Sequence, residues 1–394
     1  MRLDSDNIML AINHSPHFLQ TEDWAKFWLE VNPINHNYHW LTTNHGEFEL
    51  RSIVYEFPWQ LGEKFWYMPK TGTLSYTNDY SENPKLNCWD QISGEELEFL
   101  ILKHLNQTWS EAKKQGITFI KFDLNDGLTN RLSIWDNSSL LQFCQNKLDN
   151  KCRISSKKIQ YLDTFVADLR VIPSQNYQNI LNLENSDKLV ESESNLFNTP
   201  FPVSNLKKFF EESKIFWEST NTNIRRYTKK VINLNWIISM KKTEDNFEAF
   251  WQVYNSTKDR QNFKIHSKEY VKTLFDKPQT HLIVMYDLEN NPQSAWLGYQ
   301  WHNSLVYLYG GNEEYSFKHY GQYLMHLAAI YLAKCLKIDY YDLGGWEPNT
   351  GYGRFKEQYK ADFRHFLGPI DLPVKPFKFK VINTMVNLAK KIKK

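Results

Sequence analysis

Apolar residues recur along this chain with two different periods, and the switches between them mark out its elements. Three short apolar and aromatic runs within residues 38–67, separated by Asn44-His45-Gly46 and Leu61-Gly62-Glu63, predict antiparallel strands. Residues 95–115 then carry Leu97, Leu100, Ile101, Leu105 and Trp109 at helical spacing, and residues 117–124, following Gly116, predict a buried strand. The same order returns in the second half, with strands at 281–286, 295–301 and 305–310, a helix at 322–336 and a strand at 338–343. A strand meander, a helix and one more strand, occurring twice, indicate an internal duplication. Between the copies, residues 173–202 are rich in Asn, Ser and acidic residues and lack periodicity, which predicts a surface excursion near the domain junction. Helices at 203–220 and 244–257 follow, separated by the basic segment Asn223-Ile-Arg-Arg-Tyr-Thr-Lys-Lys230 and a strand at 234–239. No long heptad run accompanies them.

Composition narrows the partners more than the fold. A length of 394 residues suggests two domains, and 41% hydrophobic with 15% aromatic residues is enough to fold without staples. The formal net charge of +2 means that any nucleic-acid or membrane contact must be a local patch. Cys88, Cys144, Cys152 and Cys335 are scattered without the spacing of a zinc site or a redox pair, so we expect reduced thiols and no metal. The opening Met1-Arg-Leu-Asp-Ser-Asp-Asn7 has no apolar signal region, and no run of about 18 apolar residues occurs, so a cytoplasmic protein is expected.

The densest chemistry lies in Tyr340-Tyr-Asp-Leu-Gly-Gly-Trp-Glu-Pro-Asn-Thr-Gly-Tyr-Gly-Arg-Phe-Lys356, where a buried strand enters a glycine-rich turn and then presents a lysine. This stretch resembles the C-terminal signature of the FemA/FemX/FemB family, peptidyltransferases that build peptidoglycan cross-bridges from aminoacyl-tRNA. The downstream Phe366-Leu-Gly-Pro-Ile-Asp-Leu-Pro373 resembles the family's closing strand. The resemblance implies two tandem GNAT-like α/β domains, the first spanning 1–165 and completed by 367–394, the second 166–366. It also implies the shorter FemX-like layout without a coiled-coil arm.

Residue by residue, the resemblance places Lys356 at the reaction centre, beside Phe355, and Tyr309 near the transferred group. A lysine in a low-dielectric cleft stabilises an oxyanion better than one in water; the plain alternative is a solvated lysine at a helix start. Gly344 and Gly345 let backbone amides approach a ligand closely. Tyr270 matches a family aromatic on the acceptor side, but His266 stands where FemX-like enzymes carry a diphosphate-gripping arginine, so phosphate binding there would need Arg260, Lys264 or Lys268. In the first domain, Phe18-Leu-Gln-Thr-Glu-Asp-Trp-Ala-Lys-Phe27 resembles the family's opening motif and retains Lys26 toward the diphosphate, with Trp28 at a second lysine's place. Lys70, in Tyr67-Met-Pro-Lys-Thr-Gly72, and Asp123 match positions near the acceptor. Arg225, Arg226, Lys229 and Lys230 form a basic run suited to the tRNA backbone. The lysine-rich segment from Pro376 would suit either docking on the first domain or an anionic membrane face.

The resemblance thus implies an aminoacyltransferase working without a cofactor. Its partners would be aminoacyl-tRNA as co-substrate and UDP-MurNAc-pentapeptide or lipid II as acceptor, the protein being a monomer. Orientation and oxyanion stabilisation would carry the reaction, since no Ser-His-Asp or Cys-His arrangement is legible. Two alternatives stand beside it. One is an acyl-CoA-dependent N-acyltransferase of the GNAT fold, although Phe317-Lys-His-Tyr-Gly-Gln322 offers one glycine for a pyrophosphate turn. The other is a non-catalytic module that binds cell-wall precursors.

Overall fold

A computed structural model describes residues 17–77, 91–124, 128, 132, 134, 136–148, 152–155, 159–161, 163–173 and 199–392. Most of the predicted excursion at 173–202, Cys88 and the first residues lie outside that set. The chain divides into two compact units, Met1–Leu162 with His365–Lys394, and Asp163–Arg364.

The first unit opens with α1 (Glu22–Val31), capped by the Thr21 side chain accepting the Trp24 N–H, and burying Trp24, Ala25 and Phe27. Strands β1 (Asn37–His45), β2 (Phe48–Pro58) and β3 (Lys64–Thr71) form an antiparallel meander, with β4 (Thr73–Tyr76) pairing on β2. Helix α2 (Gly94–Lys114) begins with a capping box in which the Ser93 and Glu96 side chains each accept the other's backbone N–H. It buries Leu97, Leu100, Ile101 and Leu105, and the chain returns as β5 (Phe119–Leu124), parallel to β3. Helix α3 (Asn137–Lys147) and the short β6 (Arg153–Ile154) follow.

The second unit repeats the plan. Strand β7 (Asp163–Asp168) is followed by β8 (Phe201–Pro202), by helices α4 (Leu206–Glu212), α5 (Lys214–Ser219) and α6 (Thr222–Val231), and by β9 (Ile237–Ser239). The helix expected at 203–220 is therefore two, broken at Ser213, whose hydroxyl donates to the Phe209 carbonyl and accepts the Trp217 indole N–H. Next come α7 (Glu244–Gln261), α8 (Lys268–Phe275) and the meander β10 (Thr280–Tyr286), β11 (Pro292–Trp301) and β12 (Ser304–Asn312). The short α9 (Glu314–Lys318) leads to α10 (Gly321–Cys335), buried along nearly its whole length. Strand β13 (Tyr340–Gly345) then pairs parallel to β12, as β5 does to β3, before α11 (Gly351–Glu357) and β14 (Asp362–His365). Finally β15 (Ile370–Pro373) and α12 (Pro376–Ile392) belong to the first unit.

The sheets run β1-β2-β3-β5-β15-β6 and β14-β7-β13-β12-β11-β10-β9-β8. Each unit is thus a mixed α/β, GNAT-like layer in which a helical crossover joins the third meander strand to a parallel partner. In each, the antiparallel strand beside that partner comes from the other copy's stretch of chain: β15 lies against β5, and β7 against β13. Both parallel partners carry the dipeptide Asp-Leu, Asp123-Leu124 in β5 and Asp342-Leu343 in β13. Among the described residues no long coiled coil occurs, and no helix is long and apolar enough to cross a membrane.

Candidate active site

Three features coincide at the middle of the second unit. Parallel pairing of β12 with β13 stops at Val306↔Asp342, although β12 continues to Asn312 and β13 to Gly345. On the other edge of β12, Tyr307 pairs with Gly298 and Tyr309 with Leu297, so Leu308 is an extra residue in a β-bulge. In an unbroken strand, residues two apart share a face. The bulge instead sends Tyr307 toward His326 of α10 (ring centroids 5.5 Å) and Tyr309 toward Tyr254 of α7 (5.7 Å).

Lys356, on α11, fills the space on the Tyr307 side. It is 6% exposed, and its Nζ donates to the Gly345 carbonyl at 2.6 Å, between the rings of Tyr307 and Tyr352 at 5.7 and 5.5 Å. Burial lowers its pKa from 10.5 to about 8, against the partial compensation of nearby Asp342. One N–H is committed to Gly345, and an ammonium has two more to offer an oxyanion. The helix that carries it starts with the Thr350 hydroxyl accepting the Gly353 N–H. Phe355 turns the other way, into the core, with its ring 5.1 Å from Tyr323, 5.2 Å from His326 and 5.5 Å from Tyr359.

The Gly344 amide is not open to a ligand. Gly344 N–H donates to the Asp342 carboxylate at 2.8 Å, and its carbonyl accepts from Thr164 at 2.9 Å. What requires glycine is φ of +74° and a Cβ position 2.5 Å from the Tyr307 carbonyl oxygen. Gly345 serves through its carbonyl, the acceptor for Lys356.

Behind the lysine runs a buried polar chain. Trp296 Nε1 donates to the Tyr341 hydroxyl at 3.0 Å, and that hydroxyl lies 2.7 Å from His326 Nδ1. Indole only donates, so the Tyr341 oxygen accepts from Trp296, while the histidine beside it is neutral: burial first and the Lys356 charge second push its pKa down to about 3. Sequence reasoning missed Asp342, Tyr307, Tyr341 and His326. The signal was present, because the lone histidine stands in an otherwise apolar helix and Asp342 lies inside the quoted motif.

The acceptor-side candidates gather elsewhere in the unit. His266 stacks on Tyr270 at 4.0 Å and 12°, with Tyr309 5.7 Å away, and Tyr270 and Tyr309 are hydrogen-bonded through their hydroxyls. Burial of its ring lowers the His266 pKa, so near neutral pH the uncharged imidazole is favoured, whereas an arginine would be charged. Arg260 donates to the Asn312 carbonyl at 2.5 Å, and Lys268 pairs with Glu248 at 2.6 Å.

On α6 the four basic residues divide. Arg225 Nη1 donates to the carbonyls of Trp217, Glu218 and Thr220 at 3.2, 3.0 and 2.7 Å, closing the end of α5, and so is a structural cap rather than a free phosphate ligand. Arg226, Lys229 and Lys230 are exposed. The guanidinium of Arg226 and Nζ of Lys230 flank Tyr227, whose ring stacks on Tyr320 at 4.0 Å.

In the first unit, Lys26 is exposed and pairs with Glu22 at 3.7 Å. Lys70 and Asp123 are both almost wholly buried, 3.6 Å apart, with the Phe366 ring 3.5 Å from Nζ. Asp123 sits inside β5, and burial raises its pKa against the Lys70 charge. Among the described residues, Cys144, Cys152 and Cys335 are buried free thiols, and no group of three potential ligands could hold a metal.

This strand, turn and lysine lie within a segment of known type. Residues 285–387 match the model of the FemAB family. The chain also resembles the solved structure of FemX at a TM-score of 0.63 and 11% identity, over 97% of this chain and 99% of that one. A tandem GNAT protein from the clavulanic acid biosynthesis pathway aligns at 0.44 and 8% identity (94% and 93% covered). L-PGS from Bacillus licheniformis aligns at 0.42 and 8% (90% and 92%). No curated protein matches the sequence. The FemX likeness, at 11% identity, is one of fold, and the FemAB match covers the part of the second unit that carries Lys356.

Proposed function

We propose that this protein is a cytoplasmic, cofactor-independent aminoacyltransferase. It moves an amino acid from aminoacyl-tRNA to the side-chain amine of the third stem-peptide residue of a peptidoglycan precursor, nucleotide-linked or lipid-linked. The observation that carries this reading is the buried Lys356 ammonium, held by the Gly345 carbonyl where β12 and β13 part. The acceptor amine attacks the ester carbonyl, a C–N bond forms, and the C–O bond to the tRNA ribose breaks, the hydroxyl leaving with a proton. Lys356 meets the negative charge that develops on the carbonyl oxygen, in surroundings where water screens it little. On the second unit, Tyr309, His266 and Tyr270 contact the acceptor; on the first unit, taken by itself, Lys26, Lys70 and Asp123 are the acceptor-binding residues. Arg226, Lys229 and Lys230 bind the tRNA phosphates.

The test is to incubate the purified protein, working as a monomer, with pools of charged tRNA and each precursor, and to read the mass added to the stem peptide. One aminoacyl residue added per stem, and a strong loss of turnover in Lys356→Ala with folding retained, is the expected result. No added mass with any donor and acceptor pair would overturn the reading.

A further inference from the structure

Helix α12 is apolar on two opposite sides. By helical spacing, Phe379 and Ile382 share one side and are buried, Phe379 lying 4.7 Å from Phe119 and 4.0 Å from the Arg153 guanidinium. Lys378 fastens the same side to the first unit through Glu63. Docking of this kind normally uses up the apolar face of an amphipathic helix. Here a second stripe remains: Phe377, Val381, Met385 and Leu388, at i, i+4, i+8 and i+11, are 83%, 42%, 52% and 54% exposed. Lys378 and Lys380 stand on either side of that stripe, about 100° and 60° around the helix from Phe377. From Leu372 to Lys394 the chain holds seven lysines and no acidic residue.

We propose that the outer face of α12 is a docking surface for a phospholipid bilayer with anionic headgroups, lying parallel to the membrane plane. The stripe enters the boundary between headgroup and acyl chain, and Lys380 on its flank extends to the phosphates, while Lys378 holds the helix to the first unit through Glu63. The helix has 17 residues and does not span. Charge argues against the two other occupants. A second copy of the chain would bring two acid-free, lysine-rich helices face to face, and the repulsion opposes pairing. A nucleic acid would satisfy the lysines but leave four large apolar side chains in water.

The proposal goes beyond the transfer reaction and does not depend on it. The full-length protein is sedimented with mixed phosphatidylglycerol/phosphatidylcholine vesicles and, separately, with pure phosphatidylcholine vesicles. Binding is expected with the mixed vesicles only, falling at least about tenfold in Phe377→Ser/Met385→Ser and again when salt is raised from about 0.1 to 0.5 M. Both substituted side chains are exposed, so folding is retained, which the thermal unfolding midpoint checks. The proposal is overturned by absence of binding to the mixed vesicles, by equal binding to the neutral ones, or by binding that the double substitution leaves intact. It is overturned equally if the protein dimerises and Phe377→Ser/Met385→Ser abolishes the dimer, since a second copy would then cover the stripe.

Discussion

Replacing Lys356 with methionine keeps the length of the side chain and removes the charge, and the structure fixes what should follow. Burial takes the ammonium from a pKa of 10.5 to about 8. The folded chain therefore binds this proton more weakly than the unfolded chain. Between about pH 8 and 10.5 the unfolded state holds more protons, so stability rises with pH across that window. At pH 7 the buried charge lowers folding stability by about 3 kcal/mol relative to a neutral group, and at pH 10 by less than about 1 kcal/mol. Urea unfolding of wild type and Lys356→Met at a series of pH values measures the difference. The attraction of Asp342 is already contained in that lowered pKa, so the readout is the pH dependence of the difference. The advantage of Lys356→Met should shrink by about 2.5 kcal/mol from pH 7 to pH 10. Transfer should fall by about 100-fold or more in the same variant, the scale of losing one oxyanion donor. In wild type, the contribution of the ammonium should decline as pH rises through about 8. A stability difference that is flat with pH would mean that the nitrogen sits in water, and the argument for a dry, charged catalytic group would fail.

Other perturbations test the surroundings. Gly344→Ala places a methyl 2.5 Å from the Tyr307 carbonyl oxygen at φ +74°, and should destabilise by about 1–3 kcal/mol in denaturant titrations. Tyr341→Phe leaves Trp296 Nε1 and His326 Nδ1 without their shared hydroxyl and should cost about 2 kcal/mol, read as a lower unfolding midpoint. Arg225→Ala should lose about 2 kcal/mol of stability while leaving the salt dependence of tRNA binding unchanged, whereas Lys230→Ala should reduce that salt slope by about 1 with little change in stability. The opposite pattern would exchange the roles given to these two side chains.

The periodic segments were legible because their patterns are local: Leu97, Leu100, Ile101 and Leu105 alternate at helical spacing whatever they pack against, and the repeated order of strands, helix and strand gave the duplicated α/β fold. The Tyr-Asp-Leu-Gly-Gly turn and the Phe-Lys pair pointed to α11 as the place to look. Tertiary structure decided how each candidate is used, because exposure, distance and charge environment depend on residues far away in the chain. It made Arg225 a helix cap and buried Lys70 against Asp123. It set His266 against Tyr270 with its charge disfavoured. It drew β15 into the first sheet and β7 into the second, a choice between equivalent strands that no local pattern encodes. The sequence by itself determined which elements form and where the chemistry is concentrated. Only the packed structure determined that Lys356 is buried with its proton loosened, since desolvation is a property of the whole surrounding shell and not of the residue or its neighbours in the chain.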